Sequence, residues 1–202
     1  MTRVILNARQ VLVALTAIMA LSMPALAQQV IVFDPARVMA ETTAGKDVAA
    51  KLTAIETQMS SELRPEAEAL AAEEKALQDA TRALVTPEMQ GNPQLLQQAL
   101  AARPDLRQRA QSFEQRASAF NQKRQRAAQE FQLTEQAAWR SFFDTISPIM
   151  DEITAARGAS VVMERQAVTM VKPAADVTGD LISRVNQRVQ TIDVTRQRLP
   201  AQ

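Results

Sequence analysis

No cysteine, no histidine and no tyrosine occur among these 202 residues, and glycine appears only four times. Without thiols the chain tolerates an oxidising compartment but gains no disulfide from it. The missing His and Cys remove the commonest general base, the thiol nucleophile and the usual transition-metal ligands. Gly45, Gly91, Gly158 and Gly179 compose neither a Gly-x-x-x-x-Gly-Lys nor a Gly-x-Gly-x-x-Gly phosphate cradle. Carboxylate pairs and Ser–Lys chemistry are available by residue type, but no spacing points to them. The expectation is a protein without catalytic residues, metal or cofactor.

The first residues are read apart from the rest. Arg3 and Arg9 give a positive start, "VLVALTAIMALSM" is a short apolar core, and Ala25-Leu26-Ala27 is a small-x-small cleavage signal. The apolar run falls short of the ~20 residues needed to span a bilayer. The reading is a secretory signal over 1–27, removed after Ala27 to leave an exported chain from Gln28 to Gln202. No later segment is long and apolar enough to span. The signal holds two Arg and no acid, so the mature chain carries 21 basic and 22 acidic residues, a net −1. A nucleic-acid binder would need a basic excess, so no nucleic-acid partner is expected.

What remains is mostly helix. The apolar run Val30 to Phe33 suits a buried strand, stopped by Asp34-Pro35. From Lys46 to Leu84, apolar residues fall at Val48, Leu52, Ile55 and Met59, then at Leu63, Leu70, Leu77 and Leu84. That is a coiled-coil seam with one skip beside Pro65. Thr86-Pro87, Asn92-Pro93 and Pro104 break the chain into a turn-rich tip, about 86–105. A return helix follows, with Leu106, Ala110, Phe113, Ala117, Phe120, Arg124, Ala127, Phe131, Thr134 and Ala138 stepping four-three without a miss. Phe142, Ile146, Ile149 and Ile153 continue it, Pro148 is expected to bend it, and Gly158 to end it.

Two features of this antiparallel hairpin bear on function. Its seam is thin, with Ala, Arg and Thr where a tight coiled coil would place Leu or Ile. The adjacent rings Phe142 and Phe143 cannot both face one partner helix, so one should point into the body or a cavity. Phe131, Trp139, Phe142 and Phe143 are the candidate apolar residues of such a cavity. Charge is split as well: Lys46–Val85 is net −3 and Arg103–Arg140 is net +4. Arg116, Lys123, Arg124 and Arg126 have no acid between them. They are either a solvated face matching the acidic first helix or a patch for anionic lipid or a negatively charged client.

A scrap of β structure closes the chain. "SVVMER" and "VTMV", separated by Gln166-Ala167, read as a hairpin, with "VIVF" as a third strand. Asp176 is expected to cap a final helix with Val177, Leu181, Ile182, Val185 and Val189 as its apolar side. Three short strands leave exposed edges and little core, a problem that pairing between subunits would solve. The fold class is thus mostly α with a small β part: a coiled-coil tentacle, 46–157, on a β oligomerisation body from 28–45 and 158–202.

The pieces "VIVFDPARVMAETTAGKD", "RQRAQSFEQRASAFNQK" and "ASVVMERQAVTMVKPAADVTGDLISRVNQ", in this order behind a signal sequence, resemble the Skp/OmpH family of periplasmic chaperones. The resemblance implies a jellyfish-shaped homotrimer in the periplasm. Its three tentacles would hold unfolded outer membrane proteins without nucleotide, and no catalytic residues carry over. This chain departs from the family pattern in its near-neutral mature charge, its Pro-rich tip, and Gly179 at the third position after Asp176, where a carboxylate often completes a capping box. A periplasmic coiled-coil spacer or adaptor is the competing reading; it would call for a tight, continuous Leu/Ile seam.

Overall fold

The computed structural model describes residues 29–86, 89 and 93–200. The expected signal, its cleavage point and part of the tip lie outside the described residues. In chain order the elements are β1 (Gln29–Phe33), α1 (Pro35–Glu41), α2 (Thr43–Leu84), α3 (Pro93–Ala101), α4 (Pro104–Ala156), β2 (Ala159–Glu164) and α5 (Thr178–Arg188). At ~1.5 Å per residue, the 42 residues of α2 and the 53 of α4 make rods of roughly 63 and 80 Å.

β1 and β2 are parallel, with Val32 opposite Met163 and Phe33 opposite Glu164. On its other side β1 is bridged by Asp176, and the Val177 N–H donates to the Val32 carbonyl at 2.9 Å. β1 is therefore enclosed, which explains its apolar run: Ile31 and Val32 are buried. The expected hairpin from Ser160 to Val171 does not form. After Glu164 the chain enters a 3₁₀ turn, Arg165–Ala167, and Val168–Val171 is not a strand. Gln166-Ala167 lacks the Gly or Asn that a two-residue hairpin turn needs for its positive φ values, so the chain leaves the sheet instead of doubling back.

Each helix end has an identifiable cause. Asp34 caps α1 by accepting the Arg37 N–H at 3.1 Å, with Pro35 in the first turn. Asp34-Pro35 thus starts a helix as well as stopping a strand. Thr42 makes the corner into α2, accepting from the Gly45 N–H at 3.0 Å and donating to the Val38 carbonyl at 2.7 Å. The long helix begins at Thr43, ahead of Gly45. Gly158, at φ 58°, closes α4 with its N–H on the Ala155 carbonyl. α5 starts one residue later than expected, with Val177 at the cap position; the Asp176 carboxylate still accepts the Thr178 N–H at 2.9 Å. Pro65 and Pro148 lie on exposed faces, and their helices run through them.

The core sits at the base. Val38, Ala44, Val48 and Leu52 meet Ala138, Phe142, Ile146, Ile149 and Ile153 of α4, with Val177, Leu181 and Val185 closing one side. Further along the rod, burial thins to Met59 and Leu70 on α2 and to Leu106 and Phe120 on α4 among the apolar side chains described. Leu63, Leu77, Leu84, Phe113 and Phe131 are half-buried.

Two glycines separate sterics from backbone strain. A Cβ on Gly45 would lie 2.0 Å from the Met39 carbonyl oxygen, whereas one on Gly158 meets nothing within 4 Å. Ala in a helix gains ~1 kcal/mol over Gly, but the clash at Gly45 is with backbone and outweighs it. Gly45→Ala is expected to lower stability by about 2 kcal/mol or more. Gly158→Ala carries only the left-handed cost of ~1–2 kcal/mol. Thermal unfolding followed by circular dichroism reads both.

Candidate functional site

The basic residues singled out on the return helix go to different places. Arg116 pairs with Glu73, and the Lys123 ammonium donates to Glu66 at 2.7 Å, so two of the four reach across to the acidic helix. Such exposed pairs contribute ~0–1 kcal/mol and serve register more than stability. Arg126 turns to the chain's own C-terminus: its guanidinium donates to the Leu199 and Pro200 carbonyls, each at 2.6 Å. Arg124 is exposed and has no ion pair among the described residues.

The C-terminus, placed by the spacing within the body at 158–202, is an element of its own. Residues 189–200 run extended from the end of α5 back along the hairpin, forming a strap with two polar clamps. At the lower clamp the Asp47 carboxylate accepts the Thr191 hydroxyl at 2.7 Å and the Ile192 N–H at 3.1 Å. Lys51 donates to the Ile192 carbonyl at 2.7 Å, and Ile192 itself joins the core. At the upper clamp Arg196 reaches Glu62 of α2 at 2.9 Å and Glu130 of α4 at 3.2 Å, tying the two helices together. Glu130 also accepts the Leu199 N–H at 3.2 Å, and Thr134 accepts the Gln197 N–H at 2.9 Å. Glu130 is only 7% exposed and Thr134 fully buried, so a carboxylate and a hydroxyl replace the apolar seam at this level.

The electrostatics follow from these bonds. The Lys51 ammonium, with the Thr191 hydroxyl and Ile192 N–H, holds the Asp47 carboxyl down to about 2. Glu62 is lowered chiefly by its bond from Arg196. For Glu130, burial pushes the carboxyl up but is outweighed by the Leu199 N–H, Arg196 and Arg126 together, and the net direction is down. The Arg196 guanidinium is raised, first by Glu62, although its Nε is buried without a partner among the described residues.

On the face away from the strap, a groove runs between the helices over Met59, Leu63 and Ala127, rimmed by Arg124, Phe131 and Gln132. Phe131 is half-buried there. Phe142 is fully buried in the core, edge-on to Trp139 at 5.8 Å and to Phe143 at 5.2 Å. Of the adjacent pair it is Phe142 that points into the body. Trp139 and Phe143 pack half-buried onto the core's rim. Among the described residues no cluster of His, Cys, Asp or Glu is arranged to hold a metal ion, and no helix is long and apolar enough to cross a membrane.

A parallel strand pair whose crossover is a long helical hairpin has a counterpart among known families. The family model described as outer membrane protein (OmpH-like) matches residues 29–185. The chain belongs to the OmpH-like family. A crystal structure from Caulobacter crescentus CB15, of a candidate outer membrane chaperone (OmpH-like), is similar at 28% identity and a TM-score of 0.64. The similarity covers 84% of this chain and 90% of that one. No curated protein matches. The match to the OmpH-like model stops inside α5, so the strap lies beyond it, while Glu62, Arg126, Glu130 and Thr134 lie within it.

The clamps carry a pH signature. Asp47, Glu62 and Glu130 have folded pKa values below their unfolded ones of about 3.9 for Asp and 4.3 for Glu. Their contribution is therefore complete above about pH 5 and is lost as pH falls through the folded values. The amide resonances of Ile192, Gln197 and Leu199 are expected to hold their positions from pH 7 to 5; those of Gln197 and Leu199 move toward random-coil values as Glu62 and Glu130 protonate at lower pH, and Ile192 follows only as pH approaches the Asp47 value of about 2. Movement of Gln197 and Leu199 between pH 7 and 5 would contradict this assignment.

Proposed function

We propose that this OmpH-like protein is a periplasmic holdase: an exported, ATP-independent chaperone that keeps unfolded outer membrane proteins soluble before insertion. The observation that carries the reading is the thin hairpin seam in a chain of this family. The rod leaves Leu63, Leu77, Leu84, Phe113 and Phe131 half-buried and Leu133 exposed, over a base that alone has a dry core. Surfaces of this kind make many weak apolar contacts with sequences of any kind, and several tentacles multiply them by avidity. The interrupted, Ala-rich seam does not suit a rigid spacer.

The assembly expected is a homotrimer joined through the β body. Val30, Val161, Val162 and Met170 are exposed there, the last at 84%, on and beside a sheet of only two strands. An apolar edge this short is stabilised by pairing with other copies. Lipid contact at Arg124 stays secondary, since Arg116, Lys123 and Arg126 already have partners.

The test mixes the chain Gln28–Gln202 with a urea-diluted outer membrane barrel protein and measures mass by size exclusion with light scattering. A soluble peak of three chains plus one barrel is expected; a bare oligomer beside an aggregated barrel would sink the reading. Phe131→Ser is expected to weaken capture by about threefold to tenfold, the size of about one or two buried methylenes for a ring that is only half-buried. Phe142→Ala is expected to cost about 3–5 kcal/mol of stability instead, as for a large core ring.

A further inference from the structure

The bonds that hold the upper strap go mostly to main-chain atoms. Thr134 takes the Gln197 N–H, Glu130 takes the Leu199 N–H, and Arg126 gives to the Leu199 and Pro200 carbonyls. At the lower clamp, Asp47 takes the Ile192 N–H and Lys51 gives to the Ile192 carbonyl in the same way. Main-chain groups are common to every sequence, and reading them is how proteins bind extended chains without demanding a particular one. Arg196 is the main side-chain anchor, set between Glu62 and Glu130. Beside it, half-buried Leu199 lines a recess with Met59, Leu63 and Ala127.

The strap therefore occupies its groove as an extended peptide ligand would. We propose that this face of the hairpin is a binding site for an extended, unfolded polypeptide segment, and that residues 194–200, tethered at Ile192, fill it in cis as a competitor that an incoming chain displaces. The inference rests on the holdase reading and names both a site and its regulation. Segments with a basic residue three positions before an apolar one, as in Arg196 and Leu199, fit best, because Glu62 and Glu130 accept the cation while the Met59 recess takes the apolar side chain. Competition also supplies release without nucleotide. The resident strap lowers apparent affinity by the fraction of time the groove is open, and it refills the groove when the client leaves.

The test uses a fluorescent peptide of residues 191–202, a scrambled version of it, and three proteins: the full mature chain, its Arg196→Ala variant, and a chain ending at Gln190. Peptide binding by anisotropy is expected to be tightest for the truncated chain, intermediate for Arg196→Ala and weakest for the full chain. The span is about fivefold or more, set by the freed groove. The scrambled peptide should bind the truncated chain within about threefold of the native one, because most contacts are main-chain. Suppression of barrel aggregation should follow the same protein order. A truncated chain that keeps its helicity yet binds no peptide overturns the proposal, as does one that rejects the scrambled peptide. In either case the holdase reading stands if the full chain still holds the barrel. Should the truncated chain lose helicity, the comparison of Arg196→Ala with the full chain decides alone. The expected peptide order without barrel capture by any of the three would keep the groove and end the holdase reading.

Discussion

Val32 has a chain running beside it on each side: Met163 of β2 in parallel register on one, Asp176 and Val177 on the other. Parallel neighbours cannot be joined by a tight turn and need a crossover of a dozen residues or more. Here the crossover is everything from Asp34 to Gly158, the whole helical hairpin. The hairpin leaves at the C-terminal end of β1 and returns at the N-terminal end of β2, so both roots of the rod are tied to one small sheet. Closing so long a connection is not prohibitive, since each doubling of length adds only ~0.6 kcal/mol. The small sheet can thus carry a hairpin far larger than itself, provided the base packs tightly enough to repay the closure.

The base does so with apolar side chains, and the rod does not. α4 presents Ile153, Ile149, Ile146 and Phe142 in succession, then Ala138, Thr134 and Glu130. From Thr134 outward there is too little apolar volume to hold α2, and the C-terminal strap takes over with a different currency of contact. One guanidinium, Arg196, serves two carboxylates on two helices, and Glu130 takes further donors from Arg126 and the Leu199 N–H. A carboxylate this buried is tolerated only because those donors offset its desolvation. The strap and Glu130 are consequently interdependent.

Much of this was legible from spacing. The seam residues from Val48 to Leu84 and from Leu106 to Ile153 are buried or half-buried, Arg124 excepted, because 3.6-residue periodicity reports a face directly. Gly158 was legible because a left-handed C-terminal residue is nearly always glycine. Val168–Val171 misled because β-branched composition signals a strand without saying that the turn before it can close. The helix at Asp34-Pro35 and the strap were readable and missed. Pro just after Asp marks a helix start, and Ile192, Val194 and Arg196 alternate inward with Asp193 and Thr195 outward, the period of a half-buried extended segment. Glu130 was not readable, since nothing in a helical sequence shows that a distant segment will cover one of its acids.

The division of labour along the strap bears on how it can move. Ile192 is its one fully buried apolar residue and belongs to the core, so the lower clamp is anchored by water exclusion as well as by Asp47 and Lys51. The upper clamp has no such anchor: Val194 and Leu199 are only half-buried, and its bonds are polar. Net hydrogen bonds of ~1 kcal/mol each are readily exchanged for bonds to water or to another chain, whereas expelling Ile192 would expose core. Opening is therefore expected to begin at Pro200 and stop near Val194, leaving the strap tethered by Ile192. In the proposed competition, a strap held in this way keeps a high effective concentration at its groove and cannot diffuse off with a client, which a strap anchored by apolar burial along its full length could not combine with release.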